Sequence, residues 1–221
     1  GVDLSIGWRD KVGEFGYNIT ANISRYKNEV TRLGSSDLFN DTRLSKVNIT
    51  TVGQPVGMFY GYQIEGIYQN EQDVISSGVL PYGVATENDL VASAWVGRYK
   101  MKDVNNDGKI DADDRTIIGN PHPDLTGGFN ISLTWRDFDL STYMYYSIGN
   151  DLYKHYEYYT MFGNLQSNYS KDRLAKSWDP VNNPNGIYPL WTTTSTEGPE
   201  AGNESNSNYV QDGSYLRMQT L

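Results

Sequence analysis

Between Asp103 and Asp114 the chain reads Asp-Val-Asn-Asn-Asp-Gly-Lys-Ile-Asp-Ala-Asp-Asp. Side-chain oxygens fall at positions 1, 3, 5, 9 and 12 of this twelve-residue loop, with Gly108 at position 6. This is the spacing with which an EF-hand-type loop wraps Ca²⁺. Asp103, Asn105 and Asp107 would supply hard oxygen ligands, Lys109 its backbone carbonyl, and Asp111 a ligand direct or through water. Asp114 stands where such loops usually place a bidentate Glu. Gly108 permits the sharp turn, and Ile110 would anchor the loop to apolar surroundings. The same composition also makes a metal-free turn rich in Asp, Asn and Gly. The flanks exclude a calcium-sensing helix pair. Trp95-Val-Gly-Arg-Tyr-Lys-Met before the loop reads as β, and Pro121 and Pro123 after it cannot sit inside a helix. The loop is therefore expected to be a structural clip in a long connection.

Other chemistry is sparse. The chain has two histidines, His122 and His155, and no cysteine, so thiol chemistry and a disulfide framework are excluded. No nucleophile elbow or dinucleotide fingerprint appears, and no carboxylate pair stands in an apolar setting that would raise one pKa. The expectation is a non-enzyme. Aromatic residues are the other candidates. Tyr156, Tyr158 and Tyr159, with Trp178 and Trp191 in a polar Pro/Asn-rich stretch, could stack on sugar rings; packing at strand ends is their plainer role.

The elements that must carry these residues are strands. In 15–24, Tyr17, Ile19, Ala21 and Ile23 share one face, and Asn18, Thr20, Asn22 and Ser24 the other. Phe129, Ile131, Leu133 and Trp135 alternate in the same way with Asn130, Ser132 and Thr134. Leu4–Trp8 would join the first strand across Arg9–Glu14, and Phe138–Tyr146 the second across Arg136-Asp137. Hairpins at about 3–30 and 127–148 would then alternate with long loops at about 34–125 and 150–213. The 18 Tyr and 22 Gly also favour an all-β protein. Short turns at one end, long loops at the other and strands of roughly ten residues describe part of a transmembrane antiparallel β-barrel. A soluble β-sandwich alternates alike and stays open as the alternative.

The net charge of -9 argues against nucleic acid as a partner. It is concentrated in the connections: residues 34–125 hold 13 acids and 7 bases, and 150–213 hold 8 acids and 4 bases. Asn18, Asn22 and Asn130 each begin an Asn-x-Ser/Thr triplet on the polar strand face, and read as lining rather than as glycan acceptors. The chain opens on Gly1-Val-Asp-Leu-Ser-Ile, mid-pattern and without Met, which reads as a piece of something longer.

Several segments in collinear order resemble one family, the SusC/RagA class of TonB-dependent outer-membrane transporters. They are Gly1-Val-Asp-Leu-Ser-Ile-Gly-Trp-Arg-Asp, Ser24-Arg-Tyr-Lys-Asn-Glu-Val, Gly53-Gln-Pro-Val-Gly-Met-Phe-Tyr-Gly-Tyr, Tyr68 and the Asp103–Asp114 loop. Arg115-Thr-Ile-Ile-Gly-Asn-Pro, Pro123-Asp-Leu-Thr-Gly-Gly-Phe, Trp178-Asp-Pro and Gly213-Ser-Tyr-Leu-Arg-Met continue it. The match is to the C-terminal barrel portion, without the plug domain. The resemblance implies uptake of glycan oligomers (in some members, peptides) across the Gram-negative outer membrane. It also implies energy from TonB through the plug, a SusD-like surface lipoprotein as partner, and extracellular long loops. There the loop at 103–114 would meet enough Ca²⁺ for a weak site, of order 10⁻⁴–10⁻³ M. The rival functions are a calcium-stabilised carbohydrate-binding β-sandwich and, behind it, a secreted glycoside hydrolase domain.

Overall fold

The computed structural model describes residues 1–34, 36–42, 45–162, 168–191 and 199–221. Two strands, β1 (Val2–Val12) and β2 (Phe15–Arg25), form a hairpin closed by Gly13 and Glu14, with Gly13 at φ 63°. β1 runs further than its sequence indicates. Arg9, Asp10 and Lys11, expected in the turn, lie within the strand, paired with Asn18, Tyr17 and Gly16. Arg9 and Lys11 face the polar side, so their charges do not interrupt the strand.

Six described strands lie in the connection that follows. β3 (Leu38–Thr42), β4 (Ser45–Thr50) and β5 (Met58–Tyr62) belong to a small antiparallel sheet that β8 (Arg115–Gly119) completes in the order β3-β4-β5-β8. β6 (Ile64–Ile67) pairs with β7 (Tyr99–Met101), and the helix α1 (Glu71–Ser76) lies between them in sequence. The Asn70 side chain caps that helix by accepting from the Asp73 amide.

β9 (Leu125–Trp135) and β10 (Phe138–Ile148) form a second long hairpin, turned at Arg136 and Asp137. Arg136 takes φ 52°, unusual for a residue with a side chain. Its guanidinium lies 5.2 Å from the Trp135 ring and donates at 2.6 Å to Glu14, which ties the two hairpin turns together. β11 (Asp151–Tyr153) and β12 (Val210–Asp212) pair at the base of the second long connection, which also holds a helix, α2 (Lys171–Lys176). β13 (Tyr215–Thr220) returns beside β10.

The long strands make one antiparallel sheet in the order β1-β2-β9-β10-β13. Its register aligns faces across strands far apart in sequence. Leu4, Ile23, Gly127, Tyr146 and Leu216 form one row, and the next apolar row is Ile6, Ala21, Phe129, Met144 and Met218. Between them runs a row facing the other way: Ser5, Asn22, Gly128, Tyr145 and Arg217. A one-residue slip would reverse every face, so this agreement pins the register. Strands of 11 residues extend roughly 36 Å, enough at a barrel's tilt to cross a bilayer. The apolar face is bare: Trp8 is 66% and Phe138 72% exposed. A sandwich would cover that face with a second sheet. The described strands cover neither face and do not close, so the sandwich alternative is set aside and the all-β expectation is borne out.

The hydrophobic core lies elsewhere, where the two long connections fold together into one lobe. Val47, Ile67 and Tyr99 from the first pack with Met161, Phe162, Trp178, Tyr188 and Tyr209 from the second. Tyr153 stacks on Tyr209 with centroids 5.4 Å apart and also meets Phe59. The Tyr62 amide donates to the Ser205 carbonyl at 2.9 Å, and Arg115 pairs with Glu204. Gly61 is required here, because a Cβ would collide with the Ser205 carbonyl.

Candidate functional site

The Asp103–Asp114 loop joins β7 to β8, so strands and not a helix pair position it. Asn106 at φ 60° and Gly108 at φ 85° turn the backbone back on itself. The amides thus exposed point at Asp103. Its Oδ1 accepts from the amides of Asn106 at 2.6 Å and Asp107 at 3.3 Å, and its Oδ2 accepts from Gly108 at 2.8 Å. Asn105 Oδ1 accepts from the Asp107 amide, and Asp107 Oδ1 from the Lys109 amide. Asp114 is fully buried, and its two oxygens take the amides of Val104 and Asp111 at 2.9 and 2.8 Å. Ile110 enters the small cluster of Tyr62 and Met101, and the loop is strapped to Leu80 by two backbone hydrogen bonds.

Lys109 brings a positive charge of its own. Its ammonium donates to Asp111 Oδ2 at 2.6 Å and lies 3.8 Å from Asp107 Oδ2. The hydrogen bond to Asp111 holds the Lys109 pKa above its usual value, and the same bond holds that of Asp111 below the ordinary carboxylate range. Among the described residues no three His, Cys, Asp or Glu side chains converge as a metal-holding group. The hard oxygen donors suit Ca²⁺ in kind. In this arrangement they cap backbone amides, and the cation beside Asp107 and Asp111 is Lys109.

The five aromatic candidates separate. Tyr156 is 63% exposed. Tyr158 and Tyr159 are half-buried and meet edge to face with centroids 5.2 Å apart; Tyr159 also stacks on His155 at 5.8 Å. Trp178 is a core residue. Its ring is 3% exposed, and its indole N–H donates to Gln69 Oε1 at 2.9 Å, so it offers no face to a ligand. Trp191 is 44% exposed.

Two further residues were not foreseen from the sequence: Arg173, which lies over the Trp191 ring, and Tyr169, whose ring the same guanidinium covers. No local pattern joins them: Arg173 lies within α2, whereas Tyr169 precedes the cap residue Ser170. The lobe interior also holds Glu157, 6% exposed, which accepts from Lys154 at 2.8 Å and from the Tyr188 hydroxyl at 3.2 Å. Burial first, and the Glu157 charge second, push the Tyr188 phenol upward.

A sheet with one bare apolar face, one polar face and a folded lobe at one end is the setting for comparison with known proteins. The chain is 31% identical over 231 residues to TonB-dependent receptor P3 of Formosa agariphila, covering 100% of this chain and 21% of that protein. It is 29% identical over 226 residues to receptor P26 of the same organism, covering 96% and 20%. Over nearly its whole length the chain is similar to a segment of TonB-dependent receptors. No protein-family model matches it. Solved structures of the RagAB peptide transporter share its fold, with a TM-score of 0.68, 20% identity, 98% of this chain and 21% of that one. The same transporter in its 'open-open' state gives a TM-score of 0.65. The SusC/RagA resemblance is thereby borne out. The chain spans about a fifth of the length of the curated relatives it matches.

Proposed function

We propose that this segment forms barrel wall and outer lobe of an outer-membrane importer that takes up glycan oligomers with energy from TonB, and that it performs no catalysis itself. One observation carries the reading: the five-strand register puts every apolar row on one bare face and the Asn/Ser/Thr rows on the other. Such a sheet fits between lipid and a wet lumen. The lobe then stands outside the cell, where it meets substrate and a SusD-like lipoprotein lid, while TonB acts through the plug domain. Uptake of fluorescent oligosaccharides by cells carrying the full-length receptor is expected to vanish on deleting either the receptor or TonB. Uptake that survives both deletions refutes the reading. The solved neighbours are named for peptide transport, which favours peptides as a second cargo class; labelled peptides in the same assay decide between the two.

The proposal includes a structural Ca²⁺ in the Asp103–Asp114 loop, held by Asp103, Asn105, Asp107, the Lys109 carbonyl, Asp111 and Asp114. The spacing of the donors and the two left-handed residues at Asn106 and Gly108 support it. Asp107→Ala is expected to lower the thermal midpoint of the full-length receptor by a few degrees in millimolar Ca²⁺. In chelator it is expected to change little. Equal effects under both conditions remove the metal from the account.

A further inference from the structure

The inward-facing residue of α2 is a charge. Arg173 is 8% exposed, and its Nη1 is buried without a hydrogen bond. Its guanidinium lies 4.1 Å from the centroid of Tyr169 and 5.5 Å from that of Trp191. No ion pair among the described residues uses it: Asp172 is engaged by Lys176 at 2.6 Å, and Glu157 by Lys154 at 2.8 Å.

A buried guanidinium with an unpaired N–H is costly, and its natural complement is an oxyanion taken in fork geometry. Tyr169 and Trp191 meanwhile keep 39% and 44% of their surface open. Each ring thus offers exposed apolar surface next to a positive charge. A pyranose ring, apolar on its C–H face and charged at its edge, matches both parts. An acidic peptide matches the charge and leaves the rings without a planar partner.

We propose that Arg173, Tyr169 and Trp191 form a subsite for an acidic sugar, a pyranose bearing a carboxylate or a sulfate. The inference rests on the glycan reading of the importer. A small rotation of either ring opens Nη1 to the oxyanion, and the ring then stacks on the sugar.

The test uses full-length receptor in detergent and calorimetric binding of three probes: a trigalacturonate, a sulfated galactose trisaccharide and neutral maltotriose. Arg173→Gln is expected to weaken at least one charged probe by about tenfold. Arg173→Lys is expected to recover part of that loss, because it keeps the charge and loses the fork. Maltotriose binding stays within about twofold in both variants. Whichever charged probe responds tells a carboxylate from a sulfate. Charged-probe binding that is unchanged in Arg173→Gln, or lost together with maltotriose binding, overturns the subsite. So does failure of the wild type to bind either charged probe, or an acidic tripeptide that binds with the same dependence on Arg173. In those cases maltotriose binding keeps the glycan reading standing. A wild type that binds none of the sugars overturns both.

Discussion

Ile131→Arg is expected to destabilise the full-length receptor in a bilayer by about 2–4 kcal/mol, the cost of an arginine on the lipid face near the membrane midplane. Asn130→Arg, one residue away, is expected to change stability by less than about 1 kcal/mol. Ile131 sits at the middle of β9, in a row with Trp8, Ile19 and Thr142. Asn130 belongs to the opposite face, in a row with Gly7, Thr20 and Tyr143. Urea titrations in liposomes, read as the folded band on an unheated gel, measure both. The contrast follows from register, because both variants place the same arginine on the same strand, one residue apart. Equal effects at the two positions would mean that this face does not meet lipid.

That contrast was legible in the sequence because alternation is a local property. Phe15–Ser24 and Phe129–Trp135 each display it unaided, and a period of two needs no knowledge of partners. β1 was less legible, since Arg9, Asp10 and Lys11 look like a turn until the pairing with Asn18, Tyr17 and Gly16 assigns each a face. The lobe was scarcely legible at all. β5 pairs with β8 across more than fifty residues, and Arg115 meets Glu204 across more than eighty. No local pattern encodes contacts at that separation. The same gap explains the candidate site. The Asp/Asn spacing named the loop correctly as a turn rich in oxygen donors, while the ammonium of Lys109 beside Asp107 and Asp111 needed three dimensions. Arg173 went unnoticed because its partners are rings, one of them eighteen residues away.

Trp178 and Trp191 make the point quantitative, because sequence context treats them alike and the structure does not. Trp178→Ala is expected to cost the lobe about 3–5 kcal/mol, the usual penalty for emptying a buried tryptophan site. Its ring and the Leu190 side chain both press on Gly97, so tightly that a Cβ there would strike them. Its N–H also satisfies Gln69, whose oxygen loses a partner in the variant. Trp191→Ala removes a half-exposed ring and is expected to cost less than about 1 kcal/mol. Limited proteolysis of the full-length receptor separates the two effects by place as well as size. The lobe core and the long-strand sheet are distinct, so Trp178→Ala should expose cleavage sites within residues 150–213 while the barrel keeps its folded band on an unheated gel. If the band is lost too, lobe and sheet fold as one cooperative unit, and the interlocking of Tyr62 with Ser205 and Arg115 with Glu204 reaches further than its local geometry implies.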